Sequence, residues 1–159
     1  MLTFFHWFGK FHRRVYARNG AVGRRLAWIP CLVLTTTGRK TGQARDSVLV
    51  YADDPASPSR GRGARVVVAS NGGDDKPPAW LLNLQADGAV HVQVGNERYD
   101  ARARVVTPDD ADYLRLWTLV NSINHHRYDS YQAKTTRPIA MVVLDAVEVQ
   151  VPPDGIDLR

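Results

Sequence analysis

The chain has 159 residues, 44% hydrophobic and 23% charged, a composition that fits one soluble globular domain able to bury a core without disulfides. Its single cysteine, Cys31, excludes an internal disulfide framework and reads as a small core residue rather than a nucleophile. The formal charge of +5, with 21 Lys and Arg residues, favours an anionic partner such as nucleic acid, acidic lipid or a phosphorylated cofactor.

The first twenty residues have helical periodicity. Phe4, Phe8, Phe11 and Val15 share one face with Trp7 beside them, while Lys10, Arg13, Arg14 and Arg18 occupy the other, and Gly20 supplies a stop. Two readings are open: a helix packed on the domain, or an interfacial helix on an anionic membrane surface. No run of about 18 apolar residues predicts a spanning helix. The cations follow the apolar run and no small-residue cleavage site is present, which argues against a secretory signal. The expected organisation is therefore a helix and linker over 1–25, then one domain over 26–159, in a cytoplasmic protein with optional membrane association.

Strands are predicted over 31–37 and 45–52. The turn between them, Gly38-Arg39-Lys40-Thr41-Gly42, carries two cations and a hydroxyl between glycines. Such a turn can expose backbone N–H groups and charge-assisted donors to an anion, or it can be a plain solvated hairpin. It is not a P-loop: Arg39 separates Gly38 from Lys40, position 33 is Val, and a strand follows where that motif needs a helix.

The stretch 53–63, rich in Pro, Ser and Gly, reads as a surface loop before a buried strand over 65–70. Ser70-Asn71-Gly72-Gly73 then lets the backbone approach a ligand closely, although Asn-Gly-Gly is also an ordinary turn. Pro78 starts a short helix that ends at Asp87-Gly88. Trp80 and Asn83 share a face of it, able to hold a flat heterocycle, or serving as core and cap.

Strands over 89–94 and 98–106 alternate around the hairpin Gly95-Asn96. Tyr99, Ala101, Ala103 and Val105 face one way, and Arg98, Asp100, Arg102 and Arg104 the other. Thr107-Pro108-Asp109-Asp110 is expected to cap a second helix running to about Ser122. A final strand is expected over 139–151. Between them, His125-His126 and the phenols Tyr128 and Tyr131 predict a wet aromatic rim. Six strands with hairpin connections and only two interior helices predict an antiparallel barrel or a strongly curved sheet, in a mainly β, α+β chain. Metal binding is disfavoured because the two histidines are adjacent and have no Cys or HExxH partner, and no G-x-S-x-G elbow marks a hydrolase.

Taken in order, Thr36-Thr37-Gly38-Arg39-Lys40-Thr41-Gly42, Ser70-Asn71-Gly72-Gly73, Pro78-Ala79-Trp80-Leu81-Leu82-Asn83-Leu84 and Tyr128-Asp129-Ser130-Tyr131 resemble the deazaflavin-dependent nitroreductase family over roughly residues 31–147. The resemblance implies a six-stranded split β-barrel of the flavin-reductase, FMN-binding type. It implies coenzyme F420 as redox partner, and hydride transfer to a quinone, nitroaromatic or other activated acceptor. By the same resemblance, Arg39, Lys40, Thr41 and Gly42 bind the phosphate and acidic tail. Arg45, Ser47 and Val48 line the next strand, Ser70, Asn71 and Gly72 contact the ribityl chain or ring, and Pro78, Ala79, Trp80 and Asn83 complete the pocket. Tyr128 faces the substrate, with Tyr131 or water as a further proton source.

The chain departs from the family pattern. Asn71 stands where the family often has Lys, Val50 where some members have Tyr, and His125 where some have an upstream aromatic. The alternatives are an FMN-dependent reductase on the same barrel and a non-catalytic F420-binding protein. A homodimer is allowed, and nucleic acid is disfavoured because the cations are spread over several segments.

Overall fold

In the computed structural model, the described residues are 29–57 and 63–147. The predicted N-terminal helix falls outside them. Six strands, β1 (Cys31–Thr37), β2 (Ala44–Asp54), β3 (Ala64–Val68), β4 (Ala89–Val94), β5 (Glu97–Val106) and β6 (Met141–Ala146), pair in the order β1-β2-β3-β6-β5-β4 and close into a barrel. Every pairing is antiparallel.

Alternation drives the closure. Leu32 and Leu34, Val90, Val92 and Val94, and Val142 and Leu144 point into the barrel. Trp80, Leu81 and Leu84 of helix α1 (Ala79–Ala86) join them and plug one end. Each such aliphatic or aromatic side chain contributes roughly 1.5–3 kcal/mol relative to exposure. The outer faces of β2, β3 and β6 form a second core: Ala52, Val66 and Val143 lie beneath Leu116 and Val120 of α2 (Tyr113–Ser122) and Tyr128 of α3 (Arg127–Gln132).

Three features differ from the sequence expectation. The second helix starts at Tyr113, because 107–112 is spent on a turn in which Thr107 donates to Asp109 and the Asp112 N–H donates to Asp110 Oδ1 at 2.9 Å. The aromatic segment coils into α3, a helix too short to show a period. His125 and His126 adopt left-handed φ values of 57° and 59° and turn the chain into it. The last strand is shorter than expected at its start, beginning at Met141, and residues 148–151 lie outside the described residues.

The two barrel ends differ in character. At one, Arg65 lies between the rings of Tyr51 and Tyr99, with centroid distances of 5.6 and 5.2 Å, and donates to Tyr99 Oη at 2.6 Å. It also meets Glu97 at 3.3 Å and Asp53 at 3.6 Å. The other end receives the C-termini of β1, β3 and β5, and with them the turn 38–42 and the loop 70–73, while the Gly95-Asn96 hairpin lies at the Arg65 end.

Candidate functional site

The antiparallel order places the turn 38–43 after β1 and the loop 69–78 after β3 at one end, with α1 spanning between them. β2 pairs with β3 only from Tyr51 to Asp54. From Ala44 to Val50, β1 is its one strand partner among the described residues. Continuing the β2–β3 register past Tyr51↔Val67 puts Val48 level with Ser70 and Ser47 level with Asn71, where β3 has left the sheet. The result is a split in the wall, with the cationic turn at one side and the Ser-Asn-Gly loop at the other.

The turn is held tightly. The Gly38 N–H donates to Gln43 O at 2.8 Å and the Gly42 N–H to Gly38 O at 2.7 Å. Asn83 reaches it from α1, donating Nδ2 to Thr36 Oγ1 at 3.2 Å. Its Oδ1 accepts from both the backbone N–H and Nη1 of Arg39, each at 3.2 Å. Asn83 is 6% exposed, so its amide is occupied in orienting Arg39 and the turn. Arg39, Lys40 and Arg45 are exposed at this edge. The register puts Arg45 opposite Thr36 and Ser47 opposite Leu34, one face, while Val48 opposite Val33 lies on the other.

Across the split, residues 71–73 form a single 3-10 turn in which Asn71 and Gly72 have φ of 46° and 67°. Asn71 Nδ2 donates to Lys76 O at 2.9 Å. Gly72, and Gly42 with φ of 69°, share a property: a Cβ at either position would meet no heavy atom within 4 Å. Both backbone corners thus face open space, Gly42 next to the cationic turn and Gly72 across the split from it. A group carrying phosphate and carboxylates fits that edge through the exposed side chains of Arg39, Lys40 and Arg45, because cations favour anions. Trp80, 7% exposed, is built into the inner core, with Pro78 buried and Ala79 exposed at the helix start.

The aromatic segment is drier than a wet rim. Rings stack and tilt in series: Tyr113 on Trp117 at 5.7 Å, Trp117 by Tyr128 at 6.5 Å, and Tyr128 edge-on to Tyr131 at 6.3 Å. Tyr128 is 7% exposed. Burial, then the neighbouring Tyr131, push its phenol up to about 12, against the opposing hydrogen bond with Asn124. Tyr131 is half-buried, with the Lys134 ammonium 5.4 Å from its ring centroid. Asp129 holds the corner, accepting from Trp117 Nε1 at 2.8 Å and Asn121 Nδ2 at 3.0 Å, with His126 Nδ1 at 3.1 Å.

A groove of about 430 Å³ also adjoins the turn on the outer face of β1, β4 and β5, lined by Thr35, Gly42, His91, Asp100 and Arg102 among others. The Asp100 carboxylate, 2.9 Å from His91, makes it a poorer seat for an anionic tail than the split. Among the described residues, no three His, Cys, Asp or Glu side chains gather as a metal site, and no helix is long and apolar enough to cross a membrane.

Sequence reasoning missed Arg137. It donates to Ala69 O at 3.2 Å, Ser70 O at 3.2 Å and Asp74 O at 3.0 and 3.3 Å, across 63–68 positions of chain. No local motif announces such a reach. Thr36, the partner of Asn83, lay inside the quoted motif without a role.

A family model described as F420H(2)-dependent quinone reductase matches residues 7–146. The chain belongs to this family. Its members' reaction is an oxidoreduction and its cofactor coenzyme F420, so this chain is an F420-dependent oxidoreductase. An F420H(2)-dependent quinone reductase of Mycobacterium tuberculosis is 43% identical over 137 residues, covering 85% of this chain and 87% of the relative. Among solved structures, an F420-H2 dependent reductase, FDR-A, aligns with a TM-score of 0.61 and 32% identity over 72% of this chain and 93% of its own. A structure described as a domain-swapped dimer aligns at 0.64 and 28% identity, over 87% of this chain and 97% of its own. The six-stranded antiparallel barrel expected from the alternation is the family's fold.

Proposed function

We propose that this chain binds reduced F420 in the split between the cationic turn and the glycine loop, and uses it to reduce a quinone, with nitroaromatics as further acceptors. The observation that carries the reading is the pair of open left-handed corners, Gly42 and Gly72, flanking exposed Arg39, Lys40 and Arg45 in a chain of this family. When bound, the deazaflavin supplies a hydride from its own ring carbon.

The chain's residues divide the remaining work. Arg39, Lys40 and Thr41 grip the phosphate and acidic tail, Gly42 gives the turn its left-handed corner there, and Asn83 keeps Arg39 aimed. Arg45, Ser47 and Val48 form the strand wall. Ser70, Asn71 and Gly72 close on the ring side, and Pro78, Ala79 and Trp80 form the helix wall. Tyr128 and Tyr131 border the acceptor. The buried phenol of Tyr128 stays protonated through the physiological range, and half-buried Tyr131 is the more accessible proton source. Holding the acceptor close and excluding water is the protein's main contribution to rate.

Two further parts of the reading are separable. The basic and aromatic N-terminal segment contacts the membrane surface where a lipid-soluble quinone is the acceptor. Truncation before Gly20 should weaken binding to anionic vesicles and leave F420 affinity intact; equal vesicle binding by both forms would remove this part. The chain also forms a homodimer, which sedimentation of the full-length protein tests.

The function itself is tested by mixing the purified protein with F420H2 and a menaquinone-like acceptor. Acceptor-dependent loss of F420H2 is expected. Tight F420 binding without turnover on quinone or nitro acceptors would leave a binding protein instead.

A further inference from the structure

Arg137 belongs to none of the site's motifs and stands half-buried in the segment between α3 and β6. Its guanidinium makes four hydrogen bonds to backbone carbonyls, those of Ala69, Ser70 and Asp74. These carbonyls bracket the 3-10 turn that carries Asn71 and Gly72. Other contacts join the same two segments. Thr135 Oγ1 donates to Asp75 Oδ1 at 2.7 Å. A Cβ on Gly73, whose φ is 86°, would stand 2.7 Å from Tyr131 O. Gln132 in turn donates to Thr135 O and Arg137 O, and accepts from the Ile139 N–H at 2.9 Å.

Loop 69–75 closes its turn with two backbone bonds of its own, Gly73 N–H to Ser70 O at 2.9 Å and Asp74 N–H to Asn71 O at 3.2 Å, but its placement on the barrel depends on other segments. Its own side chains contribute the Asn71 bond to Lys76 O and the Asp74 bond to the Lys76 N–H, both on its far limb. On the near limb, where Ala69 and Ser70 leave the sheet, the Ala69 N–H donates to Ala140 O at 2.9 Å, and Arg137 supplies the side-chain bonds, to Ala69 O and Ser70 O. A planar fork with parallel donors can bond three carbonyls at once, and a lysine ammonium cannot reproduce that geometry. Asn71 sits in a left-handed conformation, which costs a non-glycine residue free energy unless the surroundings hold it, whereas Gly72 adopts the same region without that cost.

We propose that Arg137 is a positioning residue for cofactor binding: by clamping the carbonyls of Ala69, Ser70 and Asp74, it holds the Gly72 corner open toward the ligand. This rests on the functional reading above. Arg137 touches neither ligand nor acceptor in this role, so its effect should fall on affinity for F420 rather than on the reaction of the filled site. It also makes the loop and the aromatic segment one body, so the two walls of the site move together.

The test is a fluorescence titration of full-length wild type, R137K and R137A with oxidised F420. It is accompanied by thermal midpoints and by kcat and acceptor KM at saturating F420H2. R137A should bind F420 about tenfold or more weakly, as expected for loss of charge-assisted bonds. R137K should fall between, and kcat at saturation should stay within about threefold of wild type, the signature of binding lost without chemistry lost. Methylguanidinium added to R137A should restore affinity. Wild-type affinity in folded R137A, or in R137K should R137A not fold, overturns the proposal. Weak binding that methylguanidinium leaves unchanged overturns it as well, marking a general loss of stability. Wild type that fails to bind F420 overturns the functional reading instead.

Discussion

Asn83 shows how one side chain can couple two elements at a ligand edge. Its amide is donor to Thr36 and acceptor from Arg39, so α1 dictates where the guanidinium sits. Asn83→Ala removes the donor to buried Thr36 Oγ1, which keeps its bond to Arg45 O at 3.5 Å, and the acceptor of the Arg39 N–H, a loss of about 1 kcal/mol. A lower thermal midpoint is expected together with weaker F420 binding; unchanged affinity would show that Arg39 is placed without it. Tyr128 offers a pH test. Its folded phenol lies at about 12, above the ordinary value of about 10, so its contribution to stability is complete below pH about 10 and lost as pH rises through about 12. Burial also raises Tyr99 and Tyr113, so tyrosinate absorbance should show several phenols titrating late, and Tyr128→Phe should remove one of them. Trp80 and Asn83 were legible as a shared helix face, but not that one would be core and the other a brace. Spacing gives the face, and only the packing of α1 on the barrel gives the partner.

At the scale of elements, α2 is fastened to the barrel by charge as well as by Leu116 and Val120. Arg115 makes a two-pronged contact with buried Asp54 at 2.7 and 3.0 Å and also meets Asp112. The hydrogen bond from Arg115 holds the Asp54 carboxyl below the usual range, against the opposing effect of burial. With a depressed folded value, this contribution is present above pH about 3.9 and lost as pH falls through the folded value. Wild-type stability should drop along that acid limb, whereas Asp54→Asn should be less stable at neutral pH and flatter below it, as followed by urea denaturation. An identical acid limb in both would place the effect elsewhere. The strands themselves were legible because their alternation is strict: Val90, Val92 and Val94 read inward from sequence and lie in the inner core. Helix α3 was not, since six residues carry less than two turns of pattern and their burial depends on Trp117 and Ile139 from other elements.

For the molecule as a whole, one end of the barrel is closed by Arg65 between two tyrosines and the other is opened by a split beside β2. That asymmetry sends ligand and acceptor to one end. The order of the four motifs marked residues of which the turn, the glycine loop and the start of α1 meet at this end, while the Arg137 clamp was invisible in sequence because it joins carbonyls to a side chain more than sixty positions away. Binding there should be strongly electrostatic. The R39A/K40A double variant should weaken F420 binding by two orders of magnitude or so, flatten its dependence on salt, and leave kcat at saturation nearly unchanged. The most direct test is a fluorescence titration of wild type with F420 and, separately, with FMN. Micromolar or tighter binding of F420, with little affinity for FMN and loss of F420 affinity in R39A/K40A, is the expected result. Binding of FMN in preference to F420, or an unchanged F420 affinity in the double variant, would contradict the assignment of this site.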